Sequence, residues 1–415
     1  MPTPSVPLAA LGFRDFRLLL ISTFCSTAGQ WLQQATLGWV VYDLTHSGAI
    51  LGAVLSMRAL PMLLLGPVAG VLADRFDRRR ALAFSQLLMV VISFALAYLL
   101  AAQKLQVWHL FAFTLLAGVG MVFDRTLRNT LVFATLPRDT VANGVALNSI
   151  AFSLMRTLGP ASAGFLIAWV GAAWNFTLQG ILAIGVGVFA LLLNTPFESE
   201  RKSSPKSLGT DLMGGLHYAL SDPVARLLML VGMVPALLLI PSFSALMPVF
   251  AVKVFHTGPE GLGLLLSSVG IGGVLGGLAS VWTTRLEKVG LTLVIAVLVF
   301  AMALIGFALS SNIYMATFFL VIAGAAEMIN MSSSHTAIQM SAPIELRGRV
   351  AGLLPIFPAL MALGALSTGA CADWLGPASA VIGLSVSAAL IVILAWLRSP
   401  QLRALSLSQM TQTLK

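Results

Sequence analysis

An all-α membrane protein, with twelve transmembrane helices in two six-helix bundles, is the architecture this sequence predicts. Three observations predict it: the composition, a succession of apolar runs of membrane-crossing length, and a one-sided placement of the basic residues. Of the 415 residues, 58% are hydrophobic and 9% charged, against about 25% charged in soluble domains. Mean hydropathy is +0.95. So little charge cannot coat a core of that size, and disorder needs the opposite balance. The net charge of +9 does not point to nucleic acid, because the basic residues form no single patch.

The elements follow in order. A bilayer core of about 30 Å takes about 20 apolar residues per helix. Such runs fall at 17–42, 48–72, 81–101, 107–134, 140–170, 173–193, 223–252, 260–283, 289–309, 312–336, 349–371 and 377–397. They are too long, and too apolar on every side, for barrel strands. Arg14 and Arg17 precede the first run. That run is too long for a signal-peptide core and has no small-residue cleavage site, so it reads as a retained helix. Cys25 and Cys371 both lie in apolar runs, which argues against a disulfide framework or a metal site.

The basic residues set the orientation. With the N-terminus inside, only Lys104 and Lys253 of the 24 Lys and Arg fall on the outer side, and only Arg58 and Arg156 lie deep within runs, away from their cytoplasmic ends. The rest cluster at cytoplasmic ends and loops, including Arg78, Arg79 and Arg80. Such a bias places both termini in the cytoplasm and requires an even number of spans.

The longest polar break, 194–222, divides the runs six and six. The expected organisation is an N-terminal bundle over 1–194, a cytoplasmic linker over 195–222 and a C-terminal bundle over 223–415. The halves echo one another. Pro137-Arg138-Asp139 matches Pro343-Ile344-Glu345, and Gly159 and Gly164 match Gly364 and Gly369, both at an offset near half the chain. A duplicated six-helix unit with a central site near the midplane is one common transporter plan.

The loop after the second run reads Gly70-Val71-Leu72-Ala73-Asp74-Arg75-Phe76-Asp77-Arg78-Arg79-Arg80. It resembles the signature loop of the major facilitator superfamily, departing from it at Asp77, where that pattern has Gly. The resemblance implies a conformational-switch loop of Gly70, Asp74, Arg75, Arg78 and Arg79. Further stretches narrow it: Gly29-Gln30-Trp31-Leu32-Gln33-Gln34, Arg58-Ala59-Leu60-Pro61, Ala142-Asn143-Gly144, Leu158-Gly159-Pro160 and Leu346-Arg347-Gly348-Arg349. Over nearly the whole chain the sequence is similar to the branch that holds enterobactin exporters and macrolide efflux pumps. Thr126 stands where that branch usually has a Pro before the Arg of the fourth span. Gly159, Pro160 and Gly164 resemble a helix-bend motif of exporters, which implies a bend and a close helix contact.

An ionisable side chain inside a span costs roughly 2.5–3.5 kcal/mol on insertion scales, so each one present is a site candidate. Two acids lie well inside runs, Asp124 and Glu327. Glu327 shares a helical face with Asn330 and Ser334; it is read as a proton carrier or substrate contact, with a structural carboxylate as the alternative. Asp124 and Arg128 are spaced for an intrahelical pair, the alternative being a substrate or gating site. Arg156 shares a stripe with Ser149 and Ser153. Arg156 and Arg58 have the planar fork that suits carboxylate or catecholate oxygens. Gln30, Gln33 and Gln34, with Ser26, are expected to line a cavity, since first helices do so in the family resembled. Pro235, Pro241 and Pro248 in one run suggest kinks.

No phosphate-binding loop is present, so the expected function is secondary active export, driven by protons, of a small organic molecule of siderophore type. The alternative is multidrug or macrolide efflux, and a passive channel or importer is a further reading. An enzyme is not expected: His335 lies in a run without a His or Cys partner nearby. The expected partners are substrate, protons and the bilayer of a bacterial inner membrane. The chain is read as a monomer that uses no cofactor or metal.

Overall fold

The computed structural model describes residues 8–66, 76–137, 139–194, 221–283, 286–341 and 356–406. These are helical: after a 3-10 turn at Ala9–Gly12 come α1 (Arg14–Thr45), α2 (Gly48–Ser56), α3 (Arg78–Ala101), α4 (Val107–Thr135), α5 (Val141–Val170), α6 (Ala172–Leu191), α7 (Pro223–Val254), α8 (Pro259–Thr283), α9 (Val289–Ala308), α10 (Ile313–Ser341), α11 (Ile356–Leu375), α12 (Pro377–Arg398) and a short α13 (Pro400–Ala404). A turn at Met57 and Arg58 follows α2, and the chain continues as helix to Gly66. Among the described residues ten helices are long and apolar enough to cross a membrane. Helices α1 and α11 are not in that set. The described helix ends lie within a few residues of the apolar runs, because a bilayer core fixes how long each run must be.

The described residues fall into two compact units. One lies within Met1–Leu44, Met57–Lys202 and Gly258–Ser267, the other within Thr45–Ser56, Ser203–Thr257 and Ser268–Lys415. Each unit therefore takes in one short segment from the other half of the sequence.

In the first unit α3 packs along α6 and α4. Phe16, Leu19, Leu82, Leu127, Leu131 and Leu193 form a dry cluster that joins the N-terminal ends of α1 and α3 to the C-terminal ends of α4 and α6. Asp77 caps α3, its carboxylate accepting from the Arg79 backbone N–H at 2.9 Å and from the Arg79 side chain at 3.0 Å. Arg79 Nη1 in turn donates to the Leu193 carbonyl at 2.6 Å. The departure from the superfamily loop thus has a local reason: an acid at the N-cap accepts the orphan N–H groups of α3 and complements its dipole. Burial pushes the Asp77 carboxyl up, but the bonds from Arg79 outweigh it and hold the group below the usual carboxylate range.

In the second unit α9 packs on α10 and α12, and α2 on α11. Helix α7 contains two π-helical stretches, Pro235–Leu239 and Phe250–Val254. The first begins at a proline, whose missing N–H breaks the regular α ladder. Pro248 stands two residues before the second, and Pro241 lies in an α-helical stretch, Ile240–Ser244. Against α9, Phe243 meets Phe300 and Phe250 meets Phe307, with ring centroids 6.0 Å and 4.5 Å apart.

Candidate functional site

The first unit carries a half-open cavity lined by residues of α1, α3, α4 and α6. Helix α1 supplies Ser26, Gln30 and Gln33, α3 Gln86, α4 Asp124 and α6 Gln179, and the turn after α2 supplies Arg58. Small residues let these elements meet. A side chain at Gly118 of α4 would run into the Arg58 backbone and Pro61, and one at Gly120 into Met89.

Asp124 is the hub of the polar network. Gln86 Nε2 donates to its Oδ1 at 2.8 Å and Ser26 Oγ to its Oδ2 at 3.1 Å. Arg128 Nη2 donates to Oδ1 at 2.7 Å, closing the ion pair that the i, i+4 spacing predicts. Arg128 Nη1 donates to Ser22 Oγ at 3.0 Å, and Gln30 Nε2 to Ser26 Oγ at 3.3 Å. Asp124 and Arg128 are 5% and 8% exposed, so their charges cancel where water is scarce. This arrangement crosslinks α1, α3 and α4.

A second polar pair lies beside it. Gln179 Nε2 donates to Gln33 Oε1 at 3.0 Å. The other ends, Gln33 Nε2 and Gln179 Oε1, are buried and have no hydrogen-bond partner among the described residues. Arg58 faces the same cavity, and among the described residues it has neither an ion pair nor a hydrogen bond.

The other sequence-predicted residues fall elsewhere. Gln34 is half-buried on α1, outside this cavity lining. Arg156 and Ser153 are half-buried and Ser149 is exposed on α5; the Ser149 hydroxyl folds back on the Val145 carbonyl at 3.0 Å. None of these three lines the cavity. Glu327 is half-buried on α10 in the second unit, with Asn330 and Ser334 buried on the same helix. Asn330 Nδ2 and Ser334 Oγ have no hydrogen-bond partner among the described residues. Gly70, Asp74 and Arg75 lie outside the described residues. Of the switch loop, Arg79 holds Asp77 as above, and Arg78 is the first residue of α3.

Gly159 and Pro160 are buried inside a continuous α5. A β-carbon at Gly159 would stand 2.6 Å from Cβ of Trp31, so the close α1–α5 contact requires glycine there. One at Gly164 would stand 2.5 Å from the Pro259 carbonyl oxygen and 3.0 Å from Cα of Gly263. Sequence reasoning missed Ser22, Gln86 and Gln179. For the two amides the available signal was Gln86 in the run 81–101 and Gln179, with Asn175 one turn before it, in the run 173–193, since an amide inside a bilayer costs free energy unless it is bonded.

The transmembrane secretion effector family model matches residues 5–413. The chain belongs to this family, a branch of the major facilitator superfamily. It is 26% identical to the staphyloferrin A transporter of Staphylococcus aureus over 86% of this chain and 89% of that one. It is 27% identical to the multidrug efflux pump Tap of Mycolicibacterium fortuitum, covering 94% and 97%. With the enterobactin exporter EntS of Citrobacter koseri it shares 24% identity, covering 81% and 80%. The fold matches the nucleoside transporter NupG with a TM-score of 0.74 at 16% identity, over 92% of this chain and 98% of that one. The protein is thus a multi-pass membrane transporter of the major facilitator superfamily that handles small molecules.

Proposed function

We propose that this chain is a secondary active exporter of a small, oxygen-rich organic anion of siderophore type, driven by protons. It works from a bacterial inner membrane as twelve helices in two six-helix halves, 1–194 and 223–415, joined by a cytoplasmic linker, with both termini in the cytoplasm. Alternating access of the halves carries the cargo across.

The observation that carries this reading is the balance of charge in the first unit's cavity. Its one acid, Asp124, is neutralised by Arg128, while Arg58 stands without a counter-ion among the described residues. A cavity with a spare cation attracts an anion and repels a cationic drug. Asp124 therefore holds the helices, Arg58 meets cargo, and the half-buried Glu327 carries the proton. Arg156 is a second cargo contact.

Comparing the secreted metabolites of a deletion strain with those of wild type under iron limitation tests the reading. A siderophore missing from the medium and retained in the cell is the expected result. Unchanged secretion with new antibiotic sensitivity would favour the second reading, multidrug efflux, which the 27% identity to the efflux pump Tap supports. Glu327→Gln should uncouple export from the proton gradient. Full proton-driven export by that variant, with a normal pH dependence, removes the coupling role.

A further inference from the structure

We propose that Arg58, Gln33 and Gln179 form a subsite for a carboxylate that carries a neighbouring hydroxyl or N–H donor. The subsite rests on the transport reading above and names the chemical group of the cargo that enters the first unit.

The cavity leaves several polar groups unbonded. Gln33 and Gln179 are 4% and 3% exposed and bond to each other once. That bond leaves one amide nitrogen and one amide oxygen over, and both residues line the cavity. Exchanging the O and N ends of both amides gives the same inventory, a spare donor and a spare acceptor, so the conclusion does not depend on how the amides are assigned.

Each leftover group asks for a different atom. The Arg58 guanidinium offers a planar fork that takes both oxygens of a carboxylate. The spare amide N–H adds a third donor to the same anion. The spare amide oxygen cannot face a carboxylate and needs an O–H or N–H. A ligand that satisfies all three carries an acid with a donor beside it, as a hydroxy acid or an acylated amino acid does. An acid without the donor leaves a buried acceptor unpaired, and an organic cation meets Arg58 and two amides with nothing to offer them. The Asp124 network does not compete for the ligand, because Gln86, Ser26 and Arg128 already occupy its carboxylate.

The chain has two cysteines, both free. Cys25 lines this cavity, so in a Cys371→Ser background its alkylation by a maleimide reports occupancy of the purified full chain. The probes are malate, succinate, which lacks only the hydroxyl, and tetraethylammonium. Malate should slow labelling at a concentration at least tenfold below that of succinate, and tetraethylammonium should not protect. The double variant Gln33→Leu/Gln179→Leu, which removes both spare amide ends however they are assigned, should abolish the malate preference so that the two acids protect equally, while Arg58→Gln should lose protection by both. Equal protection by malate and succinate, protection by the cation alone, or protection that survives in Arg58→Gln overturns the subsite. The ranking of probes on the unsubstituted cavity decides the matter even where a variant fails to fold. Secretion of siderophore without this ranking sinks the subsite and spares the export reading; the ranking without siderophore secretion does the reverse.

Discussion

Removing Asp124 and Arg128 singly and together measures whether their pair holds the first unit together. In Asp124→Leu the Arg128 guanidinium, 8% exposed, keeps only the Ser22 and Thr23 hydroxyls. Breaking a buried pair by removing one partner costs about 3–5 kcal/mol. Gln86 and Ser26 also lose their acceptor. Arg128→Leu leaves the carboxylate with Gln86 and Ser26 alone, again at about 3–5 kcal/mol. The double variant carries no buried charge. A buried pair replaced by apolar residues is often close to neutral, so what remains is the orphaned Gln86 amide and the Ser26 hydroxyl, together about 1–3 kcal/mol. The double variant should therefore be more stable than either single one, with a coupling energy of at least about 3 kcal/mol, the upper end of what neighbouring residues show.

Unfolding by SDS titration in mixed micelles, followed by the fluorescence of the 8 tryptophans, gives the four free energies. Single costs that add within about 0.5 kcal/mol, the behaviour of independent sites, would refute the network. Export by the double variant then separates structure from chemistry. Retained export means that the pair neutralises itself and nothing more. A stably folded double variant that exports nothing would mean that Asp124 handles cargo or proton, contrary to the role given it above.

Three further outcomes follow from the geometry. Asp77→Ala should cost about 1 kcal/mol through the lost cap of α3. Because the folded carboxyl titrates below its usual range, its contribution is complete above about pH 3.9 and fades as pH falls through the lower folded value; melting points of wild type and variant, separate near neutrality, should converge in acid. Asp373→Ala removes the acceptor for Ser47 Oγ at 2.7 Å, Gly48 N at 2.7 Å and Ala49 N at 2.9 Å; hydrogen exchange at the Gly48 and Ala49 amides should speed at least tenfold, and unchanged exchange would contradict those bonds. Gly164→Val forces a β-carbon onto the backbone of Pro259 and Gly263, which cannot move aside as a side-chain tip would, so unfolding should show a loss of about 1–3 kcal/mol.

What the sequence disclosed divides by range. The run read as 107–134 is the helix Val107–Thr135, and that read as 289–309 is Val289–Ala308, because bilayer thickness sets both limits locally. The Asp124–Arg128 pair was legible for the same reason, since one helical turn fixes it. Gln86 and Ser22 were not, because their value depends on α3 and α1 lying beside α4, which no spacing within a run encodes. Asp77 sits between the two cases. Against a family pattern it looks like a departure, yet an acid directly before Arg78 at a helix start is a capping signal in its own right.

Two glycines 205 residues apart share one backbone conformation. Gly171 has φ 88° and ψ 161°, and Gly376 has φ 86° and ψ 154°; each opens the next helix in a region that side chains disfavour. Trp169 and Trp374 precede them by two residues and are 82% and 90% exposed, at the helix ends where a membrane interface receives indole rings. At the same offset Gly164 corresponds to Gly369, and each is closed against backbone within its own unit, Gly164 by the start of α8 and Gly369 by the start of α2. The correspondence ends at Asp373, whose counterpart is Ala168. One contact is therefore packing alone, while the other adds a carboxylate that accepts from three donors at the N-terminal end of α2, where the helix dipole favours it. Two sites with the same backbone then differ in what opens them. Bulk at Gly164 or Gly369 should disturb either, but only the α2–α11 contact should respond to loss of a charge.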